Sequence, residues 1–168
     1  MRFIYYISIL FVLSSCWPSS ISFQDSSMPK EWKTFTVKTL ESTAANAPAN
    51  YPVLLSEKIK DGVQNNTKLS LNPKTGSEEI TIEGIINNYN IAPIAIQQGD
   101  NAAKNRLTIS VNFTIFVKEP KEEKMTLSSI RFADYDSNAD LTSIENQLLE
   151  EINEQIVRDV INKLFSNW

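Results

Sequence analysis

NRLTISVNFTIFVKE, from Asn105 to Glu119, carries an apolar side chain at every second position from Leu107 to Val117. The residues between these positions bear hydroxyl or amide groups, apart from Phe116. A period of two predicts a half-buried β-strand, because helical spacing would scatter the apolar side chains around the whole circumference. The pattern is longer than the roughly five or six residues of a typical strand. We therefore predict a central strand of an antiparallel meander, with one apolar face in the core and one polar face.

Length and composition favour a single domain and exclude several kinds of site. The chain has 168 residues, no histidine and one cysteine, Cys16. It lacks the residues for a histidine–cysteine metal site, a histidine-activated nucleophile or an intramolecular disulfide. No glycine-rich phosphate loop is present, and a net charge of −4 without a long basic run argues against nucleic-acid binding. An enzyme built on two carboxylates stays open on composition, but no motif favours one. We expect no metal, no cofactor and no catalytic residue.

The chain begins with a pattern typical of an exported lipoprotein. Arg2 precedes the apolar run FIYYISILFVL, which at about eleven residues is too short to span a bilayer but suits a signal-peptide core. Leu13-Ser14-Ser15-Cys16 resembles a bacterial lipobox, in which the cysteine follows the cut and bears the lipid. We predict a signal peptide over residues 1–15 and lipidation of Cys16. A plain secretory signal cleaved near Ser15 and a buried helix are the alternatives.

Acyl chains on Cys16 would anchor the protein stably, since each buried methylene contributes about 0.8 kcal/mol. Trp17 stands where many inner-membrane lipoproteins have aspartate, and no acidic cluster follows to suggest export to the cell surface. The expected location is therefore the outer membrane, on the periplasmic side. Removing Arg2 with the signal reduces the 16 basic side chains to 15 against 20 acidic ones, for a net charge near −5.

Residues 16–32 are serine-rich and contain Pro18 and Pro29, which predicts a tether with, at most, a short edge strand around Ile21 and Phe23. Residues 33–168 then carry the periodicities of one folded domain. Strands are predicted at 34–40, 69–71, 80–92, 105–119 and 125–132, with a loop over 42–52.

Two details of these strands are also predicted. Pro93 should end the third strand, because proline cannot donate to the ladder. In the fifth strand the apolar positions change parity at Ser128–Ser129, which predicts a β-bulge there.

Two segments have helical periodicity. The first begins at Pro52, repeats apolar residues every four positions and should fade over 64–67. The second begins at a predicted capping box of Thr142 and Glu145 and continues to the end of the chain. Each has one apolar stripe, so both helices should lie on the same face of the sheet. The predicted fold is α+β, a two-layer sandwich with a mixed sheet of four or five strands and two helices on one face.

Three segments resemble the LptE family of lipopolysaccharide-assembly lipoproteins. They are AAKNRLTISVNF (102–113), RFADYDSNADL (131–141) and SIENQLLEEINEQIVRDVINKLFSNW (143–168). IAPIAIQ (91–97) and the order of lipobox, strand, helix, strand, meander and terminal helix extend the similarity over nearly all of the mature chain. No single motif is diagnostic, so the resemblance depends on this order and on the RFADYD run.

The resemblance implies a non-enzymatic role. Proteins of this family lie in the outer membrane as a plug inside the large β-barrel LptD, assist the assembly of that barrel and contact lipopolysaccharide. The implied partners are thus an LptD-like barrel and lipopolysaccharide. A sheet with one helix-covered face and one polar, weakly charged face suits a water-filled lumen, and it suits plain solvent equally well.

Three basic residues are candidates for contact with lipopolysaccharide. Lys104 and Arg106 match the family's segment at the junction of loop and strand, and Arg131 opens the RFADYD run. Arginine can hold a phosphate bidentately, whereas lysine offers a point charge. The alternative is that these residues are solvated or ion-paired, for instance with Asp100, Asp134 or Asp136. The acidic balance of the chain indicates that glycolipid contact is secondary to plugging the barrel.

Two other classes of protein stay open. An accessory, pilotin-like lipoprotein for another outer-membrane pore would share the anchor and the fold and differ in its partner. A periplasmic ligand-binding or hydrolytic lipoprotein would need a deep pocket with converging polar groups, and the sequence offers no such constellation.

Overall fold

A computed structural model describes residues 28–72, 76–94 and 104–166. The predicted signal peptide, Cys16 and most of the predicted tether lie outside these residues. The described elements follow in the order β1 (Thr34–Val37), β2 (Glu41–Ser42), α1 (Tyr51–Asn66), β3 (Ser70–Leu71), β4 (Ile80–Ile94), β5 (Lys104–Val117), β6 (Glu123–Asp136) and α2 (Leu141–Phe165). Neither of these two helices is apolar over a length that would cross a membrane.

The described strands form one six-stranded sheet in the order β3-β1-β4-β5-β6, with β2 pairing beside β4. β1 pairs parallel with β3 and β4, and β2 pairs parallel with β4. The pairs β4–β5 and β5–β6 are antiparallel. The mixed sheet is therefore confirmed, with six strands instead of four or five. β2 was not foreseen as a strand, because its two residues are both exposed and carry no alternation.

β5 is the central strand that its alternation predicts. It pairs along its length with β4 on one side and with β6 on the other. All six apolar residues of the alternating pattern are buried, and five of them are fully buried. These residues, with their neighbours on β4 and β6, form the floor of the core.

Both helices cover this apolar floor. Each turns one apolar stripe towards it, and the fully buried members are Leu55, Ile59, Val63, Ile152, Ile156, Val160 and Leu164. The helices approach each other closely at Gly62, where an added Cβ would lie 2.2 Å from Cγ1 of Val157. The α+β sandwich with two helices on one face is confirmed. We call the opposite face of the sheet the open face.

The predicted bulge at Ser128–Ser129 is wrong. The β5–β6 register is unbroken, and the shift of register lies in β4, between Ile86 and Asn88. Ser129 is buried on the helix-covered face, where its hydroxyl donates a hydrogen bond to Asp159 of α2 at 2.5 Å.

The change of parity in β6 has a different cause. Ile130 and Phe132 do not return to the core but stay on the open face, where they are 59% and 45% exposed. Polar Ser129 and Arg131 take the inward positions, because α2 supplies a carboxylate partner for both.

Two further boundaries differ from the prediction. The capping box of Thr142 and Glu145 is wrong, because Asp140 is the N-cap and accepts a hydrogen bond from the backbone N–H of Thr142. β4 also continues through Pro93 to Ile94, paired with β5. Among the described residues no strand pairs with the other side of β4 beyond Ile86, so a missing N–H costs no ladder bond on that side.

Candidate functional site

The open face is polar in its middle and charged at one end. The polar middle consists of four outward residues of β5 and those of their cross-strand partners that carry hydroxyl or amide groups, namely Asn88, Asn90, Thr108, Ser110, Asn112, Thr114, Thr126 and Ser128. The other partners in this part of the sheet are Glu83, Ile85, Ile130 and Phe132. The side chains of the polar middle carry hydroxyl and amide groups, and β5 places them there because its inward positions are apolar. A surface of this kind can lie in water or against another hydrated surface without a desolvation penalty.

Large apolar side chains are exposed on the same face. Ile85, Phe116, Ile130 and Phe132 are each between 37% and 59% exposed. Ile130 and Phe132 lie side by side on β6, and Lys124 of β6 places its Nζ 5.7 Å from the ring centre of Phe116. Exposed apolar residues that cluster on one face typically mark a contact surface.

The charged end is formed where β5 begins and β6 ends. In the register of β5 and β6, Lys104 lies opposite Asp136 and Arg106 lies opposite Asp134. Arg106 donates from Nε to Oδ1 of Asp134 at 2.6 Å and from a terminal nitrogen to Oδ2 at 2.8 Å. The guanidinium carbon also lies 3.7 Å from the ring centre of Phe132. Arg106 is therefore held in one orientation by a bidentate ion pair and a stacked ring.

The ion pair shifts the pKa values of both Arg106 and Asp134. The hydrogen bonds with Asp134 raise the pKa of the Arg106 guanidinium, and the same bonds lower the pKa of the Asp134 carboxyl. The positive charge of Lys104 adds to the lowering at Asp134. Both members of the pair are charged at neutral pH, so an incoming phosphate must compete with the Asp134 carboxylate for the fork of Arg106.

Arg131 lies on the other face of the sheet. It donates from Nε to Oδ2 of Asp159 at 2.8 Å and makes a second bond from a terminal nitrogen to the other carboxylate oxygen. Burial opposes the charge of Asp159, but the hydrogen bonds from Arg131 and Ser129 outweigh it and hold the pKa of this carboxyl below its ordinary value. The structure thus brings Lys104 and Arg106 together and separates Arg131 from them.

Two predicted features fall outside this geometry. Cys16 and Asp100 lie outside the described residues, so lipidation of Cys16 stays a prediction. Of the three aspartates considered as ion-pair partners for the basic residues, Asp134 pairs with Arg106.

The sequence did not predict that Phe132 stacks on Arg106. The stack could have been found from the register of the β5–β6 hairpin, because that register places residues of β5 and β6 opposite each other along the whole pair.

A second concave feature lies between α1 and α2. This groove has a volume of about 460 Å³ and is bordered by an ion pair of 2.6 Å between Lys58 and Glu150. Asn153 lies at its floor, where its Oδ1 accepts a hydrogen bond from the Tyr51 hydroxyl at 2.8 Å. The other amide atom, Nδ2, is buried without a hydrogen-bond partner among the described residues. The charged side chains that also line the groove, among them Lys58, Glu150 and Arg158, are largely exposed, so they do not form the buried, converging polar site that a hydrolytic lipoprotein would need.

The described residues hold no group of three or more histidine, cysteine, aspartate or glutamate side chains that could bind a metal ion. The described surfaces present hydrogen-bonding groups, ion-paired cationic side chains and exposed apolar side chains.

Comparison with known proteins gives one family. The model of the LptE family, described as lipopolysaccharide-assembly, matches residues 33–164. This range contains all the described helices and strands except the last residue of α2. No curated protein matches the chain at a significant level.

The chain is similar to several solved structures. Lipoprotein B from Nitrosomonas europaea has a TM-score of 0.55 at 11% identity, covering 86% of this chain and 88% of that chain. A protein from Xanthomonas campestris has a TM-score of 0.53 at 8% identity, with 84% and 88% covered. A minor lipoprotein from Acinetobacter baumannii has a TM-score of 0.47 at 15% identity, with 81% and 94% covered. At such low identity the first two likenesses establish a shared fold and nothing about function.

Proposed function

The chain belongs to the LptE family of lipopolysaccharide-assembly lipoproteins of the outer membrane, and from this membership we propose that it plugs an LptD-like β-barrel. In this proposal Cys16 carries the lipid anchor on the periplasmic side, and the folded domain enters the barrel lumen. The protein assists assembly of the barrel, contacts lipopolysaccharide and catalyses no reaction.

The polar middle of the open face is the observation that carries the plug proposal. It spans three adjacent strands and offers hydroxyl and amide groups without a run of like charges. The lumen of a large outer-membrane barrel is polar and hydrated, so a face of this composition can lie against it without burying unpaired charge. The helix-covered face is closed by α1 and α2 and supplies the rigid support for that surface.

Co-purification tests the partner. Tagged protein with its natural signal and Cys16 is extracted from outer membranes in mild detergent, and bound proteins are identified by mass spectrometry. We expect a stoichiometric LptD-like barrel with the wild type. A Cys16→Ser variant controls for the anchor, and it should lose outer-membrane recovery. Recovery of a different pore protein would instead assign the chain to the accessory, pilotin-like class.

For lipopolysaccharide we propose the charged end of the open face as the contact, with Arg106 and Lys104 facing the phosphate groups. Arg106 is already oriented by Asp134 and Phe132, and its planar fork matches a phosphate as well as a carboxylate. Arg131 can contribute only at a separate contact, because its fork is turned to Asp159 on the other face.

Glycolipid binding by three variants tests this assignment. Arg106→Gln should weaken binding about tenfold, the loss expected for one charge-assisted contact. Asp134→Asn should strengthen binding, because it removes the carboxylate that competes for the same fork. Arg131→Gln is the matched control on the opposite face and should bind as the wild type does. Equal losses for Arg106→Gln and Arg131→Gln would contradict a single contact on the open face.

A further inference from the structure

The two edges of the sheet differ greatly in length. β3 forms one edge and has 2 residues, whereas β6 forms the other and has 14. Among the described residues, β6 pairs only with β5. A strand at an edge presents a row of unpaired backbone N–H and C=O groups, which is a template for another strand.

β6 lacks two of the features that usually blunt such an edge, a bulge and a proline, and its charged residues lie mainly towards its two ends. Its register with β5 is continuous over its whole length, so no bulge bends it. It contains no proline, whereas the uncovered part of β4 has both Pro93 and the register shift after Ile86. The outward side chains of β6 include Ile130 and Phe132, 59% and 45% exposed. A long, regular edge with exposed apolar residues favours pairing with another chain.

The sequence of β6 is complementary to itself when it is reversed. An antiparallel pair of two copies centred on Ile130 puts Lys124 of each copy opposite Asp136 of the other. In this register Ile130 faces its own symmetry mate, and Phe132 faces Ser128. On the helix-covered face, Arg131 comes opposite Ser129, and each of these already binds Asp159 within its own chain.

Registers of the β6–β6 pair that are shifted by one or two residues are less favourable. If odd-numbered residues of one β6 lay opposite even-numbered residues of the other, the helices of the two copies would lie on opposite faces of the joined sheet. Centring the pair on Arg131 sets two guanidinium groups against each other. Centring it on Ser129 sets Lys124 opposite Asp134, a carboxylate that already pairs with Arg106, and sets Asp136 opposite Glu122, the residue just before β6. Like charges directly opposite each other destabilise a pair of strands, and opposite charges stabilise it.

We propose that the free protein forms a dimer in which the β6 strands of two copies pair antiparallel about Ile130. The contact is isologous, since the same residues act on both sides, and it joins two six-stranded sheets into one. Each copy covers the exposed Ile130 of the other, and two Lys124–Asp136 ion pairs fix the register. This inference stands on the edge strand alone and is independent of the barrel partner.

Charge exchange at the ends of the register tests the dimer. Mature protein is studied by sedimentation equilibrium in mild detergent, as the wild type and as Lys124→Asp and Asp136→Lys variants. Each single variant sets like charges opposite each other at two places, so the dissociation constant of the dimer should rise about tenfold. An equimolar mixture of the two variants should recover wild-type association, because the aspartates at positions 124 and 136 of one copy then lie opposite lysines of the other copy.

Matched controls keep this test decisive. Lys121→Asp makes the same charge change in the exposed connection before β6 and should leave the dissociation constant unchanged. Unchanged circular dichroism and melting temperature show that the variants fold. A wild type that stays monomeric at the highest concentration overturns the proposal, as does a dimer that is insensitive to both single changes. A monomer that binds only the barrel through β6 would also overturn it and would assign the edge to that partner.

Discussion

The two faces of β5 differ in what the rest of the molecule does with them. On one face Leu107, Ile109, Val111 and Ile115 are fully buried beneath the helices. On the other, the alternate residues from Thr108 to Thr114 bear hydroxyl and amide groups and are left uncovered by any described helix or strand. One face therefore determines stability, because each buried aliphatic side chain contributes about 1.5–3 kcal/mol. The other buries less apolar surface, so substitutions there should cost the fold less.

The largest expected effect comes from deleting one side chain on the covered face. Ile115→Ala removes a fully buried side chain and leaves a cavity, so the free energy of unfolding should fall by about 2–5 kcal/mol. Thr114→Ala, one position away on the open face, should change it by no more than about 0.5 kcal/mol. Urea unfolding followed by circular dichroism measures both. Similar losses at the two positions would show that the open face is also part of the folding core.

Much of the covered face was predictable from the sequence, because burial leaves a periodic signal. The alternation in β5 and the apolar stripes of α1 and α2 indicated the layers and the side on which the helices lie. The signal failed where polar residues point inwards. Ser129 and Arg131 lie on the covered face because Asp159 receives their hydrogen bonds, and a single-strand pattern contains no information about a partner 28 or 30 residues away.

The candidate site was predictable only in part. Lys104 and Arg106 were identified from the resemblance, but their distance from Arg131 depends on which face each residue occupies. The incorrect prediction of a bulge in β6 concealed which face of the sheet Arg131 occupies. The stack of Arg106 on Phe132 depends on the register of two strands, which is set by the connection between them and not by either strand alone.

The second effect concerns the contact between the two helices that cover the core. In an exposed helix, replacing glycine by alanine stabilises by about 1 kcal/mol. At Gly62 the added methyl would lie 2.2 Å from Val157, so we expect Gly62→Ala to destabilise by about 1–3 kcal/mol instead. Thermal or urea unfolding shows whether Gly62→Ala raises or lowers the free energy of unfolding. Trimming the neighbour in a Gly62→Ala/Val157→Ala double variant should recover part of the loss, whereas a stabilised single variant would show that the helices separate freely.

The smallest expected effect compares the two bidentate arginine–aspartate pairs, one on each face. Asp159 is the less exposed carboxylate, with 15% of its side chain accessible against 32% for Asp134. The pKa of Asp159 is lowered in the folded state, so its ionised form stabilises the fold above the unfolded pKa of about 3.9. That stability is lost as the pH falls through the folded pKa. Asp159→Asn should therefore lower stability at pH 7 by about 1–2 kcal/mol and flatten the loss of stability in acid.

Asp134→Asn is the matched change on the open face. The pKa of Asp134 is also lowered, so its contribution has the same sign, but solvent screens the exposed pair and only a small change in stability is expected. Unfolding measured between neutral pH and strong acid compares the two variants with the wild type. If both pairs prove equally dispensable for folding, the Arg131–Asp159 pair loses its structural explanation, and Arg131 regains its place among the candidates for phosphate contact. If only Asp159 matters, Arg106 is the better candidate of the two arginines for binding a ligand, because replacing its partner costs the fold little.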